Sequence, residues 1–192
     1  MTTAMLLVMD MLNDLVHENG GGAKSYVPLM KERDVLGRTK AVIAKARAAD
    51  VLIGYVRVGF SPDYRECPPN SPIFSRARGA GMFKLGSWGT EVHPDLTPEA
   101  GEFDIVKHRV SPFYGTSLEP ILRAHGVTDL FLSGVSTNGV VHTGAREAHD
   151  RDYACTVLED CCAGGTTDEH DSALRCLGRF AAIKNSADVS FG

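Results

Sequence analysis

The sequence predicts an α/β protein: a three-layer α/β/α sandwich around a mainly parallel sheet of about six strands. Short apolar runs alternate with segments of helical period, the pattern of βαβ units. Polar or special residues stand directly after three of those runs, where a parallel sheet places its ligands. A length of 192 residues suits one domain, residues 1–192, with a full core, and is too short for two comfortable ones.

The first strand is "MLLVM", ending at Asp10. A helix is expected across "ERDVLGRTKAVIAKARAAD", where Val35, Thr39, Val42, Ile43 and Ala46 make one apolar stripe. The β-rich run "VLIGYVRV" follows, with the length of a buried strand. From Gly59 to Glu102 prolines and glycines break the pattern, and a connection of that length is expected to wall a pocket or a subunit contact. "FDIVKH" is a strand ending near Lys107. "TSLEPILRAHG" reads as a helix with a Thr116/Glu119 capping box, Pro120 in its first turn and Gly126 as its stop. Strand "LFLSGV" leads through "STNG" into a helix with Val141, Ala145 and Ala148 on one face, and Ser136, Thr137 or Asn138 is expected to cap it. Strand "ACTVLED", a helix through "DEHDSALRCLGRF" and a short strand around "AAIKN" complete the fold.

Composition narrows the function classes. A net charge of −4 gives no basic footprint for nucleic acid, so a small neutral or mildly charged ligand is the expected partner. The opening apolar run of about five residues is too short for a signal peptide core or a membrane span, which points to a cytoplasmic protein. The five cysteines, Cys67, Cys155, Cys161, Cys162 and Cys176, lack metal-ligand spacing and read as free, mostly buried thiols. No metal site is expected: "VHENGGG" and "EVHPD" lack the spacing, so His17 and His93 read as packing or surface histidines. No dinucleotide or phosphate-loop motif appears, so no cofactor is expected.

Three strand ends should converge on one crevice: Asp10, Lys107 and the "GVSTNG" turn. Separately, each has an ordinary reading, as a turn cap, a solvated lysine and a helix-capping loop. Together they bring an acid/base pair beside a turn that aims backbone N–H groups at an oxyanion. Trp88 and Phe113 are candidate pocket walls for a small planar amide or ring, with core packing the competing reading for both.

At these residues the chain resembles the isochorismatase-like cysteine hydrolases. "LLVMDMLNDLV", "VKHRVSPFYGTSLEPIL" and "SGVSTNGVVHTGAREAHDRDYACTVLEDCCAG" are similar to that family's three blocks, in the same order over nearly the whole chain, with Gly59 to Glu102 loosely matched. The resemblance implies catalytic roles for Asp10 and Lys107, a commonly cis Val135–Ser136 bond, and substrate or oxyanion roles for Val135, Ser136, Thr137 and Gly139. It further implies that Asn13 and Asp14 order the turn around Asp10, and that the protein is a homo-oligomer.

The departure is at Val140, which occupies the position of the family's nucleophilic cysteine. An isopropyl group cannot ionise or attack a carbonyl, so the thiolate mechanism is not open to this chain. Three explanations stand. The chain is a water-using hydrolase of a vinyl ether or C–N bond with Asp10 as general acid or base; or a pseudoenzyme that binds without turnover; or a nucleophile-knockout form of a cysteine amidohydrolase. A relocated cysteine is a weaker fourth.

Overall fold

A computed structural model describes residues 3–191. Six strands, β1 (Thr3–Met9), β2 (Leu52–Val58), β3 (Phe103–Lys107), β4 (Val127–Val135), β5 (Ala154–Ala163) and β6 (Ala182–Lys184), form one sheet in the order β3-β2-β1-β4-β5-β6, and every pairing is parallel. The helices are α1 (Asn13–Val16), α2 (Ala23–Glu32), α3 (Val35–Ala48), α4 (Ala77–Ala80), α5 (Leu118–Ala124), α6 (His142–His149) and α7 (Thr167–Leu177).

Two-residue periodicity in β1 explains the three layers. Met5, Leu7 and Met9 face one way and pack with Leu118 and Leu122 of α5, Ala145 and Ala148 of α6 and Leu177 of α7. Leu6 and Val8 face the other way onto Leu29 and Met30 of α2 and the predicted α3 stripe, in which Val35, Val42, Ile43 and Ala46 are all buried. A strand buried on both faces has to be apolar throughout, as "MLLVM" is.

Three local expectations are corrected. The helix expected from Glu32 to Asp50 is α3 and starts only at Val35: Glu32 ends a preceding helix, α2, and Asp34, left-handed at φ 52°, separates the two. The capping box at α5 does not close: Thr116 Oγ1 accepts the Leu118 N–H at 3.2 Å, but Glu119 turns away to Arg123, Arg151 and Tyr153. A near equivalent forms at α7, where Thr166 Oγ1 accepts the Glu169 N–H and Glu169 Oε2 accepts the Gly165 N–H. Nor does any side chain of the "STNG" segment cap α6, which is entered through one wide π-helical turn, Thr137–Val141.

The long connection from Gly59 to Glu102 has its own small core. Phe60, Tyr64, Phe74, Ala77 and Phe83 cluster with Leu12 and Val58, beyond the carboxyl end of β2. Between Trp88 and Leu96 it returns as two single 3₁₀ turns. No helix among the described residues is long and apolar enough to cross a membrane.

Candidate active site

The strand order reverses direction between β1 and β4, and at such a switch point the connecting loops diverge and leave a crevice outside the carboxyl ends of the strands. Asp10 lies at the end of β1 and Val135–Ser136 at the end of β4. Both expected positions are in the crevice.

Asp10 holds a left-handed backbone conformation, φ 56°, that turns its carboxylate back over β2. Its own N–H donates to the Val56 carbonyl at 2.8 Å, and Oδ1 accepts the Val58 N–H at 2.8 Å. Oδ2 meets Lys107 Nζ at 2.8 Å. Lys107 is the last residue of β3, so its side chain spans β2 to reach Asp10, and Nζ also donates to the Arg109 carbonyl at 3.0 Å. Asp10 is 5% exposed and Lys107 2%. Burial pushes the Asp10 carboxyl above its ordinary range, while the Lys107 charge and the Val58 N–H pull it down.

The end of β4 passes very close to β1. Gly134, at φ 143°, lies against the Met9 carbonyl where any Cβ would collide, and Ser133 Oγ donates to the Leu7 carbonyl at 3.0 Å. The Val135–Ser136 peptide that follows is cis. Gly139 has its Cβ position against Ser136 Oγ, so a side chain there would evict that hydroxyl. The N–H groups of Gly139 and Val141 both donate to the Ser136 carbonyl, at 3.0 and 3.4 Å, so the turn itself uses these two donors.

A cavity of about 330 Å³ lies over this turn. Asp10, Lys107, Val135, Ser136, Gly139 and Val140 line one side; Tyr26 of α2 and Phe74, Arg76, Met82 and Phe83 of the long connection line the other. The site drawn from sequence is therefore assembled, with three exceptions. Thr137 points away into the protein, its hydroxyl 2.7 Å from Nδ1 of the buried His170. Trp88 is 44% exposed on the outer surface, and only its backbone carbonyl serves the site region, accepting from Asn13 Nδ2 at 2.9 Å. Phe113 is in the core, stacked on Tyr153 under the Arg151 guanidinium. Core packing holds for Phe113 alone, since Trp88 is neither in the core nor at the cavity, and both are withdrawn as pocket walls.

Asn13 and Asp14 do not touch Asp10; they fasten the long connection. Asp14 Oδ2 accepts the Phe83 N–H at 2.6 Å, and Gly89 packs so closely on the same carboxylate that it has no room for a Cβ. The His17 and His93 rings lie 5.5 Å apart, tilted by 39°, each Nδ1 accepting the N–H two residues on. No cysteine lines the cavity: Cys155, Cys161 and Cys162 are buried in the sheet, where loss of solvation pushes all three thiols up, and Cys176 is on the surface. This removes the relocated nucleophile.

Sequence reading missed Tyr26, Arg76, Phe74 and Phe83. Tyr26 belongs to α2, which the preceding Gly20–Gly22 run and the internal Pro28 disguise as loop. The other three sit in the segment without periodicity, where only tertiary packing decides what faces inward.

Strand order, a buried carboxylate–ammonium pair and a tight turn after β4 define an α/β enzyme scaffold with its site at the switch point. The chain belongs to the isochorismatase family: the Isochorismatase domain model matches residues 4–188. It is 30% identical to the ureidoacrylate amidohydrolase RutB of Methylorubrum extorquens strain AM1, over 92% of this chain and 76% of that protein. Among solved structures, the N-carbamoylsarcosine amidase of Thermoplasma acidophilum is 30% identical at TM-score 0.78, covering 100% of both chains. An isochorismatase family protein from Desulfovibrio vulgaris superposes at TM-score 0.87 with 25% identity, covering 97% of this chain and 96% of that one.

Proposed function

We propose that this chain hydrolyses a small molecule at a C–N or vinyl ether bond without a cysteine nucleophile, using Asp10 as proton carrier and water as attacking group. The observation that carries the reading is the Asp10–Lys107 pair, shielded from bulk water yet lining the cavity floored by Val140. A buried ion pair is weak evidence for stability, because desolvating two charges offsets their attraction. One that lines a cavity is a better candidate for chemistry.

In the C–N reading, ionised Asp10 takes a proton from water as that water adds to the carbonyl carbon, then returns it to the departing nitrogen. In the vinyl ether reading, protonated Asp10 gives its proton to the alkene carbon, water captures the oxocarbenium and returns a proton to Asp10, and the hemiketal collapses with cleavage of its C–O bond to a carbonyl and an alcohol. Burial favours the protonated form and Lys107 the ionised one, so the pair is suited to move a proton in either direction. The relatives named amidohydrolase and amidase support the C–N bond.

A second reading, binding without turnover, is favoured by Val140 itself. Both are tested by screening the purified protein against small amides, ureido compounds and isochorismate, with Asp10→Asn and Val140→Cys beside it. The hydrolase reading expects turnover in the unaltered chain and a loss of about 10²–10⁴-fold in Asp10→Asn. Full activity in that variant would overturn the proton-carrier role. Silence in the unaltered chain, with amide turnover in Val140→Cys, would mean a disabled cysteine hydrolase, kept for binding or altered on purpose, and would overturn the water-using reading.

A further inference from the structure

One buried titratable group takes no part in the proposed chemistry. His170, on α7, is 0% exposed, and so is its partner Thr137. Nδ1 stands 2.7 Å from the Thr137 hydroxyl, and Nε2 faces Glu159 Oε2 of β5 at 3.7 Å, beyond hydrogen-bond range. Glu159 is in turn held by Arg33 at the end of α2, whose Nη2 donates to Oε2 at 2.5 Å and to the Glu159 carbonyl at 3.2 Å. A buried imidazole with one nitrogen left unpaired is costly, and packing alone would be served as well by leucine.

The surroundings fix the direction of the Thr137 bond. A carboxylate only accepts, so the single proton of the uncharged ring belongs on Nε2, facing Glu159, and Nδ1 accepts from the Thr137 hydroxyl. Burial and the Arg33 charge push the ring toward its uncharged form, against the opposite pull of Glu159 and of Asp171 on α7.

Thr137 opens the π-helical turn, Thr137–Val141, directly after Ser136. Ser136, Gly139 and Val140 line the cavity, yet no side chain caps the turn. Among the described residues, the bond to His170 is the turn's one side-chain hydrogen bond. The row of groups behind it reaches the opposite wall, because Arg33 caps the helix that carries Tyr26.

We infer that His170 is a positioning residue: through the Thr137 hydroxyl it holds the π-helical turn that sets Ser136, Gly139 and Val140 in the cavity wall, while Glu159 and Arg33 orient its ring. Losing the bond frees the turn without opening the sheet, since α7 keeps Ala173 and Leu177 buried. The inference deepens the hydrolase reading and rests on it only for the effect on rate.

The test is hydrogen exchange on the full chain and three variants. His170→Leu removes the acceptor at similar bulk, His170→Asn puts an oxygen near the place of Nδ1, and Thr137→Val removes the hydroxyl but keeps the histidine. In His170→Leu and Thr137→Val, amides of residues 137–141 should exchange faster by about tenfold or more while those of α7 and β4 keep their protection. The double variant should be no faster than either single one, and His170→Asn should recover most of the protection. Nitrogen-15 spectra of the unaltered chain should show the His170 proton on Nε2, its signal identified by its loss in His170→Asn. If His170→Leu does not fold, Thr137→Val decides by the same regional comparison. Where the unaltered chain turns over an amide, His170→Leu should lower kcat by about 10–100-fold with KM little changed. Unchanged exchange in the turn, an equal rise in α7 and β4, additive effects in the double variant, a proton on Nδ1 or an unchanged kcat would each overturn the positioning role. Absence of all turnover would sink the hydrolase reading alone, and exchange would still decide this one.

Discussion

At the scale of single residues the site turns on two side chains that cannot be exchanged independently. Lys107 is present at the bottom of the crevice because Asp10 is, and neither has water to fall back on. Removing one partner of such a pair costs about 3–5 kcal/mol, since the survivor stays buried and unpaired. Lys107→Met should therefore destabilise at neutral pH by about that amount. The penalty should shrink in acid. Without Lys107 the Asp10 carboxyl, already held above its ordinary range by burial, rises further, while the unfolded chain titrates near 3.8. Between those values the folded variant binds more protons than its unfolded chain, so its stability falls as pH rises through that window. Urea unfolding of the variant and the unaltered chain at pH about 4.5 and 7.5 checks the sign; a penalty that grows in acid would show that Asp10 is not the group left stranded. Val140 belongs to the same scale. It is 2% exposed, so Val140→Cys replaces one small buried apolar side chain with another of similar size and restores a thiol at little cost to the fold.

At the scale of elements, what could be read from sequence was what has a period. The α3 stripe, the β1 run and the Val141, Ala145, Ala148 face were legible because burial imposes a spacing of two or of three to four, and each of those residues is buried. Asp10 and Lys107 were legible because they terminate such runs. What was not legible depends on contacts between distant segments. The Glu119 carboxylate abandons its expected cap for Arg123 and Arg151, and the Thr137 hydroxyl leaves the α6 terminus for His170, 33 residues away. The same holds for the close approach of β4 to β1, which the letters "SGV" announce only as a turn. Gly134 has neither a permitted φ for a side chain nor space beside the Met9 carbonyl. Gly134→Ala is thus expected to cost at least about 3 kcal/mol and to displace Ser136 and Val140 from the cavity wall. Thermal unfolding checks the first part, and loss of ligand binding at a temperature where the variant remains folded checks the second. A variant with unchanged stability would mean the two strand ends separate easily, contrary to the register that pairs Met9 with Gly134.

At the scale of the molecule, two regions of different stability meet at the cavity. The sheet side is anchored by two large clusters, one on each face, that share β1 and β4. The side carrying Phe74, Arg76 and Phe83 has only the small cluster around Phe60 and a few ties to the β1 turn: Asp14 to the Phe83 N–H, Asn13 to the Trp88 carbonyl, and Leu12 paired in a bridge with Val92. Regions with fewer buried apolar contacts open at lower free energy than the core, and a ligand that touches both regions stabilises the weaker one. Gly89 provides a way to loosen that side alone. A methyl group there has to displace the Asp14 carboxylate and break its bond to Phe83, while no residue of the sheet core is touched. In Gly89→Ala, amides of residues 60–90 should exchange faster by about tenfold or more, those of β1 and β4 should keep their protection, and affinity for the cavity's ligand should fall in step with the fraction of molecules open. Hydrogen exchange followed by mass spectrometry reads both regions in one experiment. Faster exchange in β1 and β4 to the same extent would mean that the connection and the sheet unfold as one unit, and that ligand selection cannot be tuned on this side without loss of the fold.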